Sequence, residues 1–264
     1  MRKGVDEMAV NKQTLWRSGG DALVSLFRHS PRFYAELSNA GTLSLSGEQA
    51  ADLNFAIIKD GPNAARCLRK FFQSSVEMDC PCMFLLEHGG SEELAAVAKE
   101  IGLTFAATVP LMACERPQYR VLNQDLTIRR VTNSDDLQAS QSIIAKTFSL
   151  AQFAVENVFS EKFAEQHDVD VFVAYEGDVS VCTVQATHHG SEVGIWCMAT
   201  DPEHQRRGFG RATLEYALKD LMDRGATCFY LFATQAGRPL YESVGFEQMD
   251  IGAIWLSGTS SQVG

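Results

Sequence analysis

The pattern of apolar and polar positions is most regular in the second half of the chain. Short apolar runs, several rich in β-branched residues, predict strands. These runs lie at 126–130, 169–175, 179–187, 193–200, 228–233 and 248–256. Apolar residues spaced three and four apart after position 208 predict a long amphipathic helix that stops at Gly225. With a helix pair between 134 and 159 and a short helix at 239–244, the predicted order is β-α-α-β-β-β-α-β-α-β-β, ending in two strands.

The first half of the chain carries a fainter version of the same order. Its predicted strands lie at 53–58, 83–86 and 105–113, and its predicted helices follow Asn63 and Ser91. We interpret the chain as two related α+β units in tandem, residues 1–120 and 121–264, joined near 115–123. An unrelated α+β domain in front of the second unit is the opposing hypothesis.

The composition is that of an ordinary globular protein, and the charge balance restricts the kinds of partner that we expect. Hydrophobic residues make up 45% of the 264 positions, charged residues 21%, and the net charge at pH 7 is −10. This acidic balance disfavours a nucleic-acid or anionic-membrane surface, so we expect neither partner. Residues 1–20 lack the apolar segment of a leader, and no run reaches transmembrane length. We therefore expect a cytoplasmic protein.

The cysteines point to reduced thiols and to no metal site. There are 7 of them, and most lie in apolar, strand-like contexts. Cys80-Pro81-Cys82 has one residue between the sulfur atoms and no second pair, which argues against zinc. Cys197 lacks a visible activating base, so a buried strand thiol is favoured over a nucleophile.

A polar, glycine-containing turn between the strand at 193–200 and the long helix is the strongest chemical signal. It carries Arg206, Arg207, Gly208 and Gly210. Glycines let the backbone come close to a ligand, and the helix start offers unpaired N–H groups and a positive dipole end. This combination predicts a phosphate site. The opposing interpretation is an ordinary strand-to-helix connection.

Two motifs in this half carry a family resemblance. Gln205-x-x-Gly208-x-Gly210 resembles the coenzyme A pyrophosphate signature, Q/R-x-x-G-x-G/A, of the GNAT acetyltransferase superfamily. Leu240-Tyr241-Glu242-Ser243-Val244-Gly245-Phe246 resembles that family's second marker, Y-E-x-x-G-F. The resemblance covers roughly residues 126–257. It implies a central mixed, mostly antiparallel sheet flanked by helices, with acetyl-CoA as co-substrate and no metal.

The first unit lacks both motifs, so we interpret it as a degenerate GNAT-like domain. In the second unit the resemblance implies that Met198, Ala199 and Thr200 bind the pantetheine arm through their backbones, and that one N–H group polarises the thioester carbonyl. The residues expected at the pyrophosphate are Gln205, Arg206, Arg207, Gly208, Phe209, Gly210, Arg211 and Ala212.

Tyr241 is the predicted general acid. A phenol with its usual pKa near 10 stays protonated at neutral pH and can donate to a leaving thiolate. Its place before Glu242 and Gly245 matches the family's general-acid tyrosine. The opposing interpretation is an aromatic residue at the edge of the core.

The general base is less clear from the sequence. Many members of the family carry a glutamate in the strand before the phosphate turn, and the matching position here is Gly194. Glu192 shares the face of Gly194 and could act through water. His188 and His189 have a suitable intrinsic pKa, and Trp196 could line an acceptor pocket. The opposing interpretation is that Glu192 and the histidines are solvated turn residues.

These features predict a coenzyme A-dependent N-acyltransferase that moves acetyl to a primary amine of a small molecule by direct attack. The acidic chain favours a cationic acceptor. A different donor, a protein amine acceptor and a non-catalytic acyl-CoA-binding sensor are the alternatives. The glycine at 194 favours the sensor and Tyr241 opposes it. A homodimer stays an open alternative.

Overall fold

The computed structural model describes residues 10–89, 91–120 and 126–258. The predicted join between the two units includes residues 121–125, which lie outside this description, as do the first nine residues of the N-terminal stretch. No helix in the described ranges is long and apolar enough to cross a membrane.

The described strands form a single mixed sheet. They are β1 (Tyr34–Ser38), β2 (Gly41–Leu45), β3 (Asn54–Ile58), β4 (Met83–Leu86), β5 (Thr104–Cys114), β6 (Leu126–Arg130), β7 (Val169–Glu176), β8 (Val179–His189), β9 (Glu192–Thr200), β10 (Cys228–Phe232) and β11 (Glu247–Leu256). Their order across the sheet is β1-β2-β3-β4-β11-β5-β10-β9-β8-β7-β6. Two neighbouring pairs, β3–β4 and β9–β10, are parallel, and the other pairs are antiparallel. The predicted mixed, mostly antiparallel sheet is confirmed.

Helices cover both faces of this sheet. They are α1 (Lys12–Phe27), α2 (Ala64–Glu77), α3 (Glu92–Glu100), α4 (Ser134–Thr147), α5 (Gln152–Val158), α6 (Glu161–Ala164), α7 (Phe209–Asp223) and α8 (Arg238–Val244). The side chains of Ser91 and Asn133 accept hydrogen bonds from backbone N–H groups in the first turns of α3 and α4, whereas Asn63 precedes α2 without a side-chain cap. Short 3-10 turns at Ala51–Leu53 and Pro202–His204 precede β3 and α7.

The two halves of the chain exchange their last strands. Strand β5 from the first half lies between β10 and β11, and β11 from the second half lies between β4 and β5. Each half also contributes one parallel pair, β3–β4 or β9–β10, in the corresponding place. This arrangement supports the tandem interpretation, and the boundary between residues 120 and 121 stays a prediction.

One part of the predicted element order is wrong. The segment after α8 forms one strand, β11, with two register shifts, rather than two strands. The neighbour of β11 in the sheet is β5 from the first unit, which pairs with β11 over most of the length of β11. No element is predicted before residue 53, yet α1 and the hairpin β1–β2 occupy much of 12–45.

The core has separate layers on the two faces of the sheet. One layer joins α1, α4, α5 and α6 to strand residues that include Ala199 and Tyr230. The opposite layer joins α7 and α8 to residues that include Ile195 and Phe229. We call these the α1 face and the α7 face.

Candidate active site

A gap between the parallel strands β9 and β10 forms the centre of the site. Their ladder covers Glu192, Val193 and Gly194 opposite Cys228, Phe229 and Tyr230. Beyond these positions β9 continues along β8, and β10 continues along β5. In the first half, β3 and β4 stay paired from Phe55–Met83 to Ile58–Leu86. The gap therefore distinguishes the second unit from the first.

A bulge in β9 lies beside this gap. Trp196 pairs with Gln185 and Ala199 with Thr183, so β9 contains one residue more than β8. Cys197 takes a φ of +44°, in the left-handed region that a non-glycine residue adopts at a cost of about 1–3 kcal/mol. The register of β8 and β9 gives Cys197 and Met198 no paired residue, so we expect their backbone groups to be available to a ligand in the gap.

The glycine turn continues directly from β9 to the first turn of α7. Gly208 has a φ of +85° and is the N-cap of α7, and a Cβ atom there would meet nothing within 4 Å. A Cβ atom on Gly210 would lie 3.1 Å from Thr200 Oγ1, so glycine lets the helix start close to the end of β9. Open space before unpaired helical N–H groups fits a pyrophosphate.

The three arginines of this turn differ in their freedom to bind phosphate. Arg211 faces inward, where its Nη1 donates to Ser243 Oγ at 2.6 Å and its Nε pairs with Glu215. Arg207 pairs with Glu176 and lies over the Phe209 ring at 4.6 Å. Within the described ranges Arg206 makes no ion pair. The role of Arg211 at the phosphates stays a prediction that this geometry does not favour, because Glu215 neutralises the guanidinium group and its donors hold α8.

Other predicted cofactor residues take different structural roles. Gln205 Nε2 donates to the Thr200 carbonyl at 3.3 Å and ties the turn to β9. The Phe209 side chain is buried beside Val181 and Cys182. The Ala212 N–H donates to the Gly208 carbonyl at 3.1 Å. Phosphate binding by the Ala212 N–H stays a prediction that this hydrogen bond does not favour, because the helix leaves unpaired the N–H groups that lie before Ala212.

Tyr241 lies on α8, on the α7 face. Its half-buried ring packs edge-on against Phe246, with the ring centres 5.8 Å apart. Burial, with the nearby thiols of Cys182 and Cys197, raises the pKa of Tyr241 to about 12. Its hydroxyl makes no hydrogen bond to another described residue. Tyr241 thus stays protonated across the neutral range, as a general acid requires.

The gap brings groups from the two faces close together. Trp196 and Cys197 pack with the α1 face, whereas Met198 and Tyr241 pack with the α7 face. The Cys197 thiol, like that of Cys182, contributes to the raised pKa of Tyr241. A donor entering along α7 and an acceptor entering from the α1 face could therefore meet in this gap.

The structure does not place Glu192 with Tyr241. Glu192 lies in the paired part of β9 and accepts a hydrogen bond from Ser18 Oγ of α1 at 2.6 Å. Six residues of strand separate it from Met198, which is roughly 20 Å. Its role as a base stays a prediction that this geometry does not favour.

The two predicted histidines lie near Glu192 rather than at the gap. His188 Nε2 bonds Asp170 Oδ2 at 2.6 Å, and His189 pairs with Asp21 of α1 at 3.3 Å. Burial opposes ionisation of Asp170, but hydrogen bonds from His188 and Arg224 outweigh it and lower its pKa to about 2. His188 therefore belongs to a structural ion-pair cluster. Trp196, in contrast, lies at the gap.

Asp52 of the first unit acts electrostatically on Cys197, which lies at the gap. It lies in the 3-10 turn before β3, in the first unit, and its charge adds to burial in raising the pKa of the Cys197 thiol to about 12. No local pattern could identify it, because 145 positions of sequence separate the two residues.

One group of described side chains could ligate a metal, and it lies away from the gap. Glu87, His88 and Asp250 bring ligand atoms within 4.8 Å of one another. Lys12 Nζ lies 3.4 Å from His88 Nε2 and 3.7 Å from Asp250 Oδ2, so an ammonium group already supplies positive charge there.

The mixed sheet, its parted parallel strands and the glycine turn define the acyltransferase fold that the two sequence motifs predict. Residues 167–248 match the family model of the acetyltransferase (GNAT) domain. The chain thus carries a GNAT domain that includes the gap and the glycine turn, and the recognition made from the sequence is confirmed.

Known proteins with similar sequences and folds agree with this assignment. Over 63 residues the chain is 38% identical to the [ribosomal protein bS18]-alanine N-acetyltransferase of Escherichia coli K12, a match that covers 23% of this chain and 43% of that protein. The chain thus spans less than half the length of the curated relatives it matches. A GCN5-related N-acetyltransferase from Kribbella flavida has a TM-score of 0.70 at 18% identity, covering 93% of this chain and 96% of that one.

A structure with a tandem arrangement is also similar. The tandem GNAT protein from the clavulanic acid biosynthesis pathway has a TM-score of 0.56 at 13% identity, covering 96% of this chain and 98% of that one. At this identity the likeness shows the fold, and it extends over both halves of the chain.

Proposed function

We propose that this protein is an acetyl-CoA-dependent N-acyltransferase that transfers acetyl to a primary amine of a small molecule by direct attack. The observation that carries this proposal is the gap between β9 and β10, which opens beside the glycine turn and has Tyr241 on its α7 face. Acetyl-CoA supplies the activated thioester. The residues of the chain bind it, orient it and provide a proton.

The glycine turn fits the pyrophosphate of this co-substrate. We expect backbone N–H groups from Arg206 to Arg211 to bind it, because α7 begins here and Gly208 borders open space, and Arg206 adds charge. Backbone groups of Met198, Ala199 and Thr200 along the gap hold the pantetheine arm. An N–H group at the bulge stabilises negative charge that develops on the thioester carbonyl oxygen.

Tyr241 donates the proton that the leaving thiolate needs. Its raised pKa keeps the phenol protonated, and its unpaired hydroxyl is free to bind the sulfur. Removing this hydroxyl should cost little stability, because no described residue depends on it.

Isothermal titration with acetyl-CoA tests the donor site. We expect micromolar binding by the natural chain and its loss in Gly208→Glu. Gly102→Glu is the matched control, because Gly102 has a φ of +88°, close to the +85° of Gly208, and also faces open space. Absence of binding by the natural chain would refute the proposal.

Tyr241→Phe separates an enzyme from a non-catalytic acyl-CoA sensor. In an enzyme we expect turnover, measured as thiol release with a panel of amines, to fall about 100-fold while acetyl-CoA affinity is preserved. A natural chain that binds acetyl-CoA but releases no thiol with any amine would favour the sensor.

A protein N-terminus is the second candidate acceptor. It is favoured by the 38% identity over 63 residues with an enzyme named for acetylating the alanine of ribosomal protein bS18. A peptide that begins with alanine therefore belongs in the amine panel. Faster turnover of that peptide than of small amines would make the protein acceptor the better proposal.

A further inference from the structure

A buried glutamine lies on the α1 face of the sheet, next to the residues that border the gap. Gln185 of β8 pairs with Trp196 of β9 on one side and with Val171 of β7 on the other. Residues directly opposite each other in neighbouring strands project to the same face. Because Val171 and Trp196 both pack in the α1-face layer, the Gln185 side chain projects to that face, one strand away from the gap.

Neither polar atom of this side-chain amide has a partner. Gln185 is 1% exposed, and its Oε1 and Nε2 are both buried without a hydrogen bond to any residue in the described ranges. Its polar neighbours on the same face of β8 are engaged elsewhere. Thr183 Oγ1 and Ser140 Oγ of α4 share a hydrogen bond at 2.7 Å, and Thr187 Oγ1 accepts from Trp196 Nε1 at 2.8 Å. The amide is thus enclosed in the layer without joining its hydrogen bonds.

A second buried glutamine shows what the fold does with such a group when the group serves stability. Gln141 of α4 is 5% exposed, and its Nε2 donates to the Phe159 carbonyl at 2.8 Å. Most buried side-chain amides in proteins are bonded in this way, because a buried amide without partners destabilises the fold. Exceptions to such rules are expected at functional sites. Gln185 is an exception that lies beside the gap, which indicates a partner from outside the chain.

The Tyr230 hydroxyl is a second buried group without a hydrogen-bond partner in the described ranges. Tyr230 is 0% exposed and lies opposite Gly194, in the last pair of β9 and β10 before the gap. Burial raises the pKa of this hydroxyl well above its usual value, and the nearby Thr187 hydroxyl opposes that shift. The Tyr230 ring packs edge-on against Trp196, with the ring centres 6.3 Å apart. Trp196 therefore adjoins both unpartnered groups, Gln185 across β8 and Tyr230 across β10.

The chemistry of the amide indicates what it can bind. The Oε1 atom of a glutamine accepts hydrogen bonds and its Nε2 atom donates them, and neither atom carries a charge. A primary amine in its neutral, reactive form has N–H donors besides the lone pair that attacks a thioester. A hydrogen bond from one of these N–H groups to Oε1 leaves the lone pair free to point into the gap.

We propose that the Gln185 amide binds the acceptor, with its Oε1 accepting a hydrogen bond from the primary amine that attacks the thioester. This inference rests on the proposed function, and it names the residue that orients the acceptor on the α1 face. On that face of β9, Gly194 has no side chain and the Trp196 N–H is engaged by Thr187. The neighbouring strand β8 therefore supplies the polar contact.

Gln185→Met, with Gln141→Met as the matched control, tests whether the amide serves a ligand or the fold. Methionine is unbranched and adapts to the space of the glutamine side chain. In urea unfolding we expect the midpoint to stay or rise in Gln185→Met, because no bond within the chain is lost. In Gln141→Met we expect it to fall by about 0.5 M. An equal fall in Gln185→Met would show that the amide stabilises the fold, and would overturn the inference.

Turnover provides the functional part of this test. The probe amines are spermidine and a peptide that begins with alanine. We expect kcat/KM for the acceptor to fall about tenfold in Gln185→Met and to stay within about twofold in Gln141→Met. Acetyl-CoA affinity, measured by titration, should be unchanged in both variants. A kcat/KM in Gln185→Met equal to that of the natural chain would contradict a role of the amide in binding the acceptor.

Nuclear magnetic resonance of the side-chain amides gives a readout that does not need turnover. In isotope-labelled protein, the signals of the Gln185 amide are those that disappear in Gln185→Met, and the signals of Gln141 are identified in the same way. With coenzyme A bound, a probe amine that occupies the site should shift the Gln185 signals and leave the Gln141 signals in place. Gln185 signals that stay in place at amine concentrations that support turnover would overturn the inference.

The outcomes separate this inference from the proposed function. A natural chain that fails to bind acetyl-CoA refutes the proposed function, on which the inference depends. If acetyl-CoA binds and an amine is acetylated equally well by Gln185→Met, the proposed function stands and the inference is overturned. If acetyl-CoA binds but neither probe amine is acetylated or shifts the Gln185 signals, recognition of an amine by this amide is overturned.

Discussion

A Cβ atom on Gly194 would lie 2.5 Å from Trp196 Nε1 and 2.8 Å from the Tyr230 hydroxyl. Gly194 is the position at which the family resemblance places a strand glutamate. Trp196 is held in this place by a hydrogen bond from its Nε1 to Thr187 Oγ1 at 2.8 Å. Two aromatic side chains thus fill the space that a longer residue at 194 needs, and a base in this protein must come from elsewhere.

Substitution of Gly194 by alanine should destabilise the fold. The added methyl group collides with two rings, and overpacking of this kind costs about 1–3 kcal/mol. The free energy of unfolding in urea measures the effect. In a Trp196→Phe background, where the nearest atom is absent, the same substitution should cost less. Equal costs in both backgrounds would show that Trp196 does not confine position 194.

Arg206 and Arg211 should respond differently to substitution by alanine. Arg206→Ala should weaken acetyl-CoA binding about tenfold, by roughly 1.5 kcal/mol, and less at high salt because the contact is ionic. Arg211→Ala should instead lower the free energy of unfolding by about 3 kcal/mol, because the Glu215 carboxylate is 2% exposed and would keep only the Arg120 N–H as a partner, without a charge to pair with. Titration and urea unfolding measure the two effects. The reverse pattern would place Arg211, not Arg206, at the phosphates.

Asp170 should make stability depend on pH in the acid range. Its folded-state pKa of about 2 lies below the value of about 3.9 expected in the unfolded chain. Its stabilisation is therefore present above about pH 4 and is lost as the pH falls towards 2, by about 2.6 kcal/mol in the limit. Asp170→Asn should lower stability at pH 7 by about 3 kcal/mol and flatten this slope.

Urea unfolding at several pH values tests that expectation. Asp220→Asn is the matched control, because Asp220 also pairs with Arg224 but its side chain is 35% exposed. An exposed pair of this kind contributes up to about 1 kcal/mol. Similar losses in the two variants would contradict a special role for Asp170.

The strand exchange predicts that the second unit does not fold by itself. A fragment of residues 121–264 would lack β5, the strand that pairs with both β10 and β11. Both strands would then expose unpaired edges, so we expect no cooperative unfolding transition. Addition of a fragment of residues 1–120 should restore the transition in far-ultraviolet circular dichroism. A cooperative transition of the second fragment alone would contradict this expectation.

Sequence signals within single elements were sufficient to predict much of the secondary structure of the second unit. The helix stop at Gly225 depends on neighbouring residues, and it appears where the sequence places it. The glycine turn is also local, because the positive φ of Gly208 and the start of α7 arise within a few residues. The sequence could therefore predict the turn that we propose binds phosphate.

Helix α1 shows why other elements were not predictable. Gly19 and Gly20 lie in its middle and weaken the helical pattern. In the folded chain a Cβ on Gly19 would lie 3.1 Å from Phe232, and one on Gly20 would lie 2.6 Å from Thr42 Oγ1. The glycines are thus needed for close packing on the sheet, which a single element cannot reveal.

Most strands and helices of the second unit, the glycine turn and the prediction of Tyr241 as the acid came from the sequence alone, because they depend on periodicity and short motifs. Only the folded chain shows which strands are neighbours, that Arg211 bonds Ser243 of α8 and that His188 bonds Asp170. Pairing partners and ion pairs join residues far apart in the chain, and periodicity carries no information about which distant surface a residue meets.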